Sequence, residues 1–420
     1  MKILVVGSGG REHAIIWKLS QSDKKPELFC APGNGGISQL AACVPIKAMD
    51  KEGICNFALE NKIDMVMVAP DDPLSIGMVD YLEANGVRAF GPYQAAAKIE
   101  ASKVFSKALM KKYGIPTAEY ETFSDSKSAL AYIRRSNQTF PAVIKADGLA
   151  LGKGVIIATD LKEAEDAIVD MMENSKFGAS GSNIVIEEFM TGPEVTVLAF
   201  TDGKTLCPMP SSQDHKRAFD NDQGLNTGGM GAFSPSKNYT PDIADVCMKT
   251  IFMPTIEALA KEGIKYKGVI YFGLMLTPNG PKVVEYNSRF GDPETQCLLP
   301  RLDSDLVDIF DAVIDERLDK IDIKWKSEAA CCVVMASGGY PVSYKSGYHI
   351  SGLDEAAEEG TIVFHAGTRI EDGKFCNSGG RVLGVTAMGA DVSEAAKNAY
   401  KGVVKISWQD MFYRKDIGKK

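Results

Sequence analysis

Glu285 and Asn287 stand two residues apart in the apolar run Lys282-Val283-Val284-Glu285-Tyr286-Asn287, with Arg289 just beyond. Side chains two apart on a strand share one face, so a carboxylate and an amide oxygen would point together from an otherwise buried strand. A small set of oxygen ligands suits Mg²⁺, which keeps waters and borrows substrate phosphates to complete its shell. An isolated Glu-x-Asn at a strand end is more often a polar tip meeting solvent, and the other polar runs of the chain decide between the two.

Several of those runs carry phosphate or nucleotide chemistry. Lys145-Ala146-Asp147-Gly148-Leu149-Ala150-Leu151-Gly152-Lys153-Gly154-Val155 links two strand-like stretches. Its tail is one residue short of a P-loop, has Gly154 where a Ser or Thr would hold Mg²⁺, and leads into a strand instead of a helix. It reads as a Gly-rich hairpin, either covering phosphates with Lys145 as charge partner or forming an ordinary turn. Ile184-Val185-Ile186-Glu187-Glu188-Phe189 ends in two acids, and Glu194 follows Gly192-Pro193. Such a strand end can pair an adenine edge and hold ribose hydroxyls, or form a solvated rim.

Gly7-Ser8-Gly9-Gly10-Arg11-Glu12-His13 follows the first strand and opens a helix, where backbone N–H groups and a helix N-terminus can receive an anion. Glu12 occupies the place of a dinucleotide fingerprint's third Gly, and the second strand ends Cys30-Ala31-Pro32 without a ribose-binding acid. Phosphate binding and a tight structural turn both stay open here. Pro32-Gly33-Asn34-Gly35-Gly36, at the next strand's carboxyl end, favours a ligand. The segment from Gln213-Asp214-His215-Lys216-Arg217 to Asn226-Thr227-Gly228-Gly229-Met230-Gly231 is long, polar and Gly-rich, and its apolar residues argue for order. His215 has no second metal-type partner nearby, and no Ser/His/Asp or Cys/His pairing stands out.

The elements that must position these groups alternate along the chain. Strands at 3–6, 27–30, 65–69 and 87–90 with helices at 12–20, 51–61 and 75–85 imply a doubly wound parallel sheet with ligand loops at its carboxyl ends. A helical pattern covers 94–113. Strands at 119–123, 142–145, 154–158 and 183–187 with two helices make a small α+β unit. A second sheet unit holds strands at 194–201, 268–276 and 282–286 and a helix at 241–262. Strands at 330–336, 361–366 and 381–387 with a final helix form a C-terminal unit.

With 420 residues, 45% hydrophobic and 24% charged, the chain has the composition of a multidomain soluble globular protein. A net charge of −8 argues against bulk nucleic-acid binding. No stretch reaches the length of a membrane span. Nine cysteines without a Cys-x-x-Cys pair read as reduced, mostly buried thiols, and with no signal-like N-terminus the expected location is cytoplasmic.

In this order, the runs GSGGREHA, PGN, the Ser102-Lys103 pair, IKADGLALGKGV, EEF, QDHKR, NTGGMGAFSP, EYNSRFGDPE, GGYP, FHAGT and GGRVLGVTA closely resemble the phosphoribosylamine–glycine ligase (glycinamide ribonucleotide synthetase) family of the ATP-grasp superfamily. The resemblance covers essentially the whole chain. It implies an α/β fold: an N-terminal doubly wound domain like that of biotin carboxylase (1–101), a central two-part ATP-grasp domain (102–325, lid about 120–190, catalytic part about 191–325) and a small C-terminal α+β domain (326–420). The implied reaction joins glycine to 5-phosphoribosylamine with ATP, through glycyl phosphate, in the second step of purine synthesis.

By the same resemblance Lys103 and Lys145 contact the ATP phosphates, Gly152, Lys153 and Gly154 cover them, Glu187, Glu188 and Phe189 hold adenine, and Glu194 holds ribose. Glu285 and Asn287 match Mg²⁺ ligands, with Mn²⁺ as a substitute. Asp214, Lys216, Arg289 and Asp292 fall where catalysis is expected. Gly9, Gly10, Arg11, Gly33, Asn34, Asp214, Arg217 and Arg289 fall at the substrate sites. A monomer or weak dimer, meeting the amidotransferase that makes its amine only transiently, is implied as well. Three positions depart from the family pattern: Ala101 for Gly, Leu225 for Pro, and Asp71 for a longer acid. A different ATP-grasp ligase would need the 213–217 and 226–231 segments to be only structural. A dinucleotide oxidoreductase would need the missing third Gly and ribose acid.

Overall fold

The computed structural model describes residues 1–135, 138–148, 154–174 and 181–419. β1 (Lys2–Gly7), β2 (Glu27–Pro32), β3 (Ala42–Cys43), β4 (Met65–Val68) and β5 (Ala89–Phe90) form a parallel sheet in the order β3-β2-β1-β4-β5. Ile3 and Val5 enter one core with α1 (Gly10–Leu19), while Leu4 and Val6 enter another with α2 (Lys51–Glu60) and α4 (Met78–Ala84). All four are fully buried, each contributing about 1.5–3 kcal/mol. That two-faced burial is why β1 reads as a continuous apolar run. The short α3 (Asp71–Ser75) starts the 71–84 stretch, so the expected 75–85 helix begins at Met78, after Gly77 in the left-handed region.

The continuous helix expected over 94–113 is two helices, α5 (Gln94–Ala101) and α6 (Lys103–Tyr113). Ser102 takes an extended backbone and its Oγ accepts the Phe105 N–H at 3.1 Å, starting α6 afresh with Lys103 at its first position.

A four-stranded sheet in the order β6-β9-β7-β8 joins β6 (Tyr120–Phe123), β7 (Ala142–Ala146), β8 (Val155–Ala158) and β9 (Ile184–Glu188) over its own core. After it in the chain comes an antiparallel sheet containing β10 (Glu194–Thr201) and β11 (Leu206–Pro208). The polar stretch that follows is ordered, as its apolar residues suggested. It contains β12 (Gln213–Asp214), the hairpin β13 (Arg217–Phe219) and β14 (Gln223–Asn226), and the buried β15 (Gly231–Ser234). β16 (Gly268–Thr277) and β17 (Gly280–Asn287) complete the second sheet, in the order β11-β10-β16-β17. The 241–262 helix is interrupted by a π-helical turn over Met248–Phe252, just before Pro254, which has no N–H to continue the ladder.

β12 and β15 do not join that second sheet. They extend the C-terminal one, ordered β12-β15-β18-β22-β19, with β18 (Ala329–Ser337), β19 (Ile362–His365) and β22 (Arg381–Gly389); β20 (Thr368–Glu371) and β21 (Lys374–Asn377) make a separate hairpin. All nine thiols are free and seven are buried. No helix among the described residues is long and apolar enough to cross a membrane.

Candidate active site

β17 delivers the carboxylate and amide as its spacing predicts. Its register against β16 slips between Gly273 and Leu274, so Gly273 faces Glu285 while Leu274 faces Val283. The bulge leaves Val283 and Tyr286 in the core and turns Glu285 and Asn287 outward. Gly273 matters here, because a Cβ would stand 3.1 Å from Glu285 Cγ. Tyr286 anchors the opposite face through Thr255 Oγ1 at 2.9 Å. The Glu285 side chain is 37% exposed, with Lys216 Nζ 3.9 Å away, and Arg289 Nη2 donates to Asn287 Oδ1 at 3.3 Å. One accessible carboxylate and one amide oxygen fit a hard divalent cation that takes its remaining ligands from water and phosphate. Among the described residues no cluster of three His, Cys, Asp or Glu offers another metal site.

Three lysines converge beside this strand. Lys103 Nζ donates to Gly148 O at 2.9 Å, and Asp147 ties the same loop to α6 by accepting the Val104 N–H at 3.1 Å. Lys145, buried on β7, reaches Val284 O at 3.2 Å and Glu187 Oε2 at 2.9 Å. Lys107 completes the group, 3.2 Å from the same Glu187 oxygen. Its ammonium is brought down to about 8 by desolvation, against the pull of Glu187; desolvation lowers Lys103 too. Sequence reading missed Lys107, although four residues after Lys103 it shares that helix face. Glu187 Oε1 is buried with no hydrogen-bond partner among the described residues, an acceptor left over after both lysines are bound. Glu188 pairs with Lys282 at 2.7 Å, Phe189 is 40% exposed, and the backbone carbonyl of Gly154 accepts the Ala146 N–H at 2.8 Å. Gly152 and Lys153 lie outside the described residues.

Lys216 connects this half to the next, 2.8 Å from Glu194. Burial raises the carboxyl of Asp214 above its usual range, while Lys216 opposes that shift. Arg217 turns elsewhere: its guanidinium donates to Gly224 O at 2.8 Å, inside its own hairpin. Arg289 sits 2.8 Å from Glu100 and 3.9 Å from Asp71. Burial pushes the Asp292 carboxyl up, but Arg381 at 3.2 Å, then Arg11, hold it below its ordinary value. Arg381 also donates to Gly228 O at 2.7 Å and Asp292 O at 2.8 Å, pinning two loops at once. Glu294 accepts from Tyr271 at 3.0 Å, and burial together with the Asp214 charge pushes its carboxyl up to about 7. Glu100, Glu294, Tyr271 and Arg381 were not singled out from sequence.

The first Gly-rich loop contains its own anion. Glu12 Oε2 accepts the Gly9 N–H at 2.5 Å and Oε1 accepts Arg11 Nε at 2.6 Å, while Arg11 Nη1 donates to Phe290 O at 3.2 Å. The carboxylate sits where a dinucleotide's phosphate would meet the helix N-terminus. Gly10 allows close packing, since a Cβ would be 2.6 Å from Gln296 Nε2. Asn34 spends its amide on structure: Nδ2 donates to Ser8 O at 2.8 Å and His365 O at 2.9 Å, and Oδ1 accepts the Ile37 N–H at 2.9 Å. A cleft of about 360 Å³ lined by Gly33, Asn34, Thr368 and Arg381 meets a second of about 280 Å³ lined by Arg11, Glu12 and Asp72. Ser8, Gly9 and Asp292 line both.

The phosphoribosylglycinamide synthetase models match the chain in three blocks: N domain over residues 1–100, ATP-grasp (A) domain over 101–295 and C domain over 330–420. The chain is 49% identical to the phosphoribosylamine–glycine ligase of Vibrio parahaemolyticus over 421 residues, covering all of this chain and 98% of that one. It is 47% identical to the enzyme of that name from Caldanaerobacter subterraneus subsp. tengcongensis over 417 residues, 99% of each. The crystal structure of phosphoribosylamine–glycine ligase from Thermotoga maritima matches with a TM-score of 0.85 at 31% identity, covering 99% of this chain and all of that one. By three consecutive domain matches and full-length relatives, the chain belongs to the phosphoribosylglycinamide synthetase family.

Proposed function

We propose that this chain ligates glycine to 5-phosphoribosylamine with ATP, giving N1-(5-phosphoribosyl)glycinamide, ADP and phosphate, as in the second step of purine synthesis. A glycine carboxylate oxygen bonds to the γ-phosphorus as the bridging β–γ bond breaks and ADP leaves. The amine nitrogen then attacks the acyl carbon of glycyl phosphate, and the carbon–oxygen bond to phosphate breaks. No protein nucleophile is required, so positioning and charge neutralisation are the work left to the side chains. The observation that carries this reading is Lys216, set between Glu194 at 2.8 Å and Glu285 at 3.9 Å, where nucleotide and substrate halves meet.

In this reading Lys103 and Lys145 exchange their carbonyl contacts for phosphate oxygens. The spare oxygen of Glu187 accepts the adenine amino group, with Glu188 and Phe189 at the ring edge and Glu194 at the ribose. Glu285 and Asn287 would hold Mg²⁺, or Mn²⁺ in its place, which when bound neutralises phosphate charge. Arg289 and Lys216 steady the transferring group, and Asp214 and Asp292 orient the amine and glycine. Gly152–Gly154 close over the phosphates and keep water from the acyl phosphate. The phosphoribosyl end lies in the clefts lined by Gly9, Arg11, Gly33 and Asn34, with Gly10 behind them and Arg217 holding the hairpin that follows Lys216. The enzyme acts in the cytoplasm as a monomer or weak dimer, with transient amidotransferase contact.

The test is phosphate release with each substrate omitted in turn. Turnover is expected only with ATP, glycine and phosphoribosylamine together; release unchanged without either acceptor would refute the assignment.

A further inference from the structure

Glu100 is a carboxylate in an unfavourable place. It is the penultimate residue of α5, where the helix dipole is negative, and it is 8% exposed. Burial raises its carboxyl above the usual range, opposed by Arg289. Such a group persists only when its oxygens are satisfied. Here every donor comes from two consecutive residues, 188 and 189 positions along the chain. Ser288 gives its N–H at 2.7 Å and its Oγ–H at 2.9 Å to Oε2, and Arg289 Nη2 lies 2.8 Å from Oε1.

Those two residues immediately follow Asn287, where β17 ends. The Ser288 N–H contact fixes the backbone leaving the strand, and the guanidinium contact fixes the side chain one residue later. Without Glu100 the nearest carboxylate to Arg289 is Asp71 at 3.9 Å, on α3. The same carboxylate stands two residues before the Ser102 break that starts α6 with Lys103. It therefore ties the helix junction that presents one phosphate-facing cation to the strand end that presents the other.

We infer that Glu100 is the positioning residue for Arg289, holding its guanidinium beside Asn287 in register with Lys103. This rests on the ligase reading above, in which Arg289 faces the transferring group. A simple staple between α5 and β17 would lower stability and scale every activity alike. Positioning predicts a narrower effect, confined to the chemical step.

The experiment uses the full chain as wild type, Glu100→Gln, Arg289→Lys and the double variant. It reads kcat, the KM for each substrate, and Mg·ADP affinity by calorimetry. Glu100→Gln keeps the shape and the acceptor for Ser288 but removes the charge. It is expected to lower kcat roughly 10- to 100-fold, the scale of a small misplacement at a reacting centre, with Mg·ADP affinity within about twofold. In the double variant the loss should not exceed that of Arg289→Lys alone. A kcat within about twofold of wild type in Glu100→Gln, or losses that multiply in the double variant, would overturn the inference. If Glu100→Gln does not fold, Ser288→Ala is read in its place: a several-fold fall in kcat supports the role, an unchanged kcat refutes it. Wild-type dependence on both acceptors, measured alongside, separates failure of this inference from failure of the ligase reading.

Discussion

In the proposed reading lysines serve the nucleotide half of the site, and arginines the half around the two clefts. Lys107 and Lys145 share one oxygen of Glu187, and Lys103 rests on a backbone carbonyl. Arg11 and Arg381, which line the clefts, instead each have a carboxylate of their own, Glu12 and Asp292, as does Arg289 between the two halves, in Glu100. A lysine is a point charge on a flexible stem whose burial lowers its pKa, so it can leave a provisional partner for an arriving phosphate. A guanidinium held by several partners keeps one orientation and defines a rigid edge. On that reading the nucleotide side is built to adjust, and the cleft side to be in place beforehand.

The strongest challenge to that contrast is at β17, the strand proposed to hold the metal and shared by the two halves. Glu285→Gln should cut turnover by roughly 10²–10³-fold, as loss of one charge-stabilising group does, while thermal unfolding stays near wild type. Near-normal Mg²⁺-dependent rates in that variant would remove Glu285 from the site. Arg381→Lys comes next. It keeps the charge but loses the contacts to Gly228, Asp292 and their loops, so kcat/KM for phosphoribosylamine should drop by about tenfold, or about 1.4 kcal/mol, with the KM for ATP unchanged. Equal loss for both substrates would show that the arginine edge is not specific to the cleft side.

The smallest effect is in stability against pH. Glu294 is raised from 4.5 to about 7 in the folded state. Between those values the native form holds more protons than the unfolded form, so its contribution is full below the unfolded value and is lost as pH rises through about 7. Glu294→Gln should flatten that part of the curve relative to wild type, by about 1–3 kcal/mol across the window. Denaturant titrations at pH 5 and 8 on both proteins measure it, and parallel curves would place Glu294 outside this account.

The placement of Glu285 and Asn287 together on β17 was legible because two residues on one short strand are close in sequence and space together. Lys145 and Glu187 were placed on strands for a different reason, each standing at the end of an apolar run. What stayed hidden depends on distant pairing: Glu100 with Ser288 and Arg289, Arg381 with Asp292, Glu294 with Tyr271. The break at Ser102 was hidden too, since a serine N-cap inside a helical pattern carries no Pro or Gly to mark it. Glu12 showed in the sequence as a misfit in a Gly fingerprint, but its filling of the turn with its own carboxylate did not. β12 and β15 escaped because they are short and lie in a polar stretch; β12 pairs with β15, and β15 finds its other partner about a hundred residues later in β18.

That last pairing limits how the chain can be cut. A fragment stopping ahead of Ala329 would keep β15 but lose the strand hydrogen-bonded along it, baring a buried edge open to mispairing between molecules. The tail is thus woven into the middle of the protein, and trimming it would unravel the segment bearing Asp214 and Lys216.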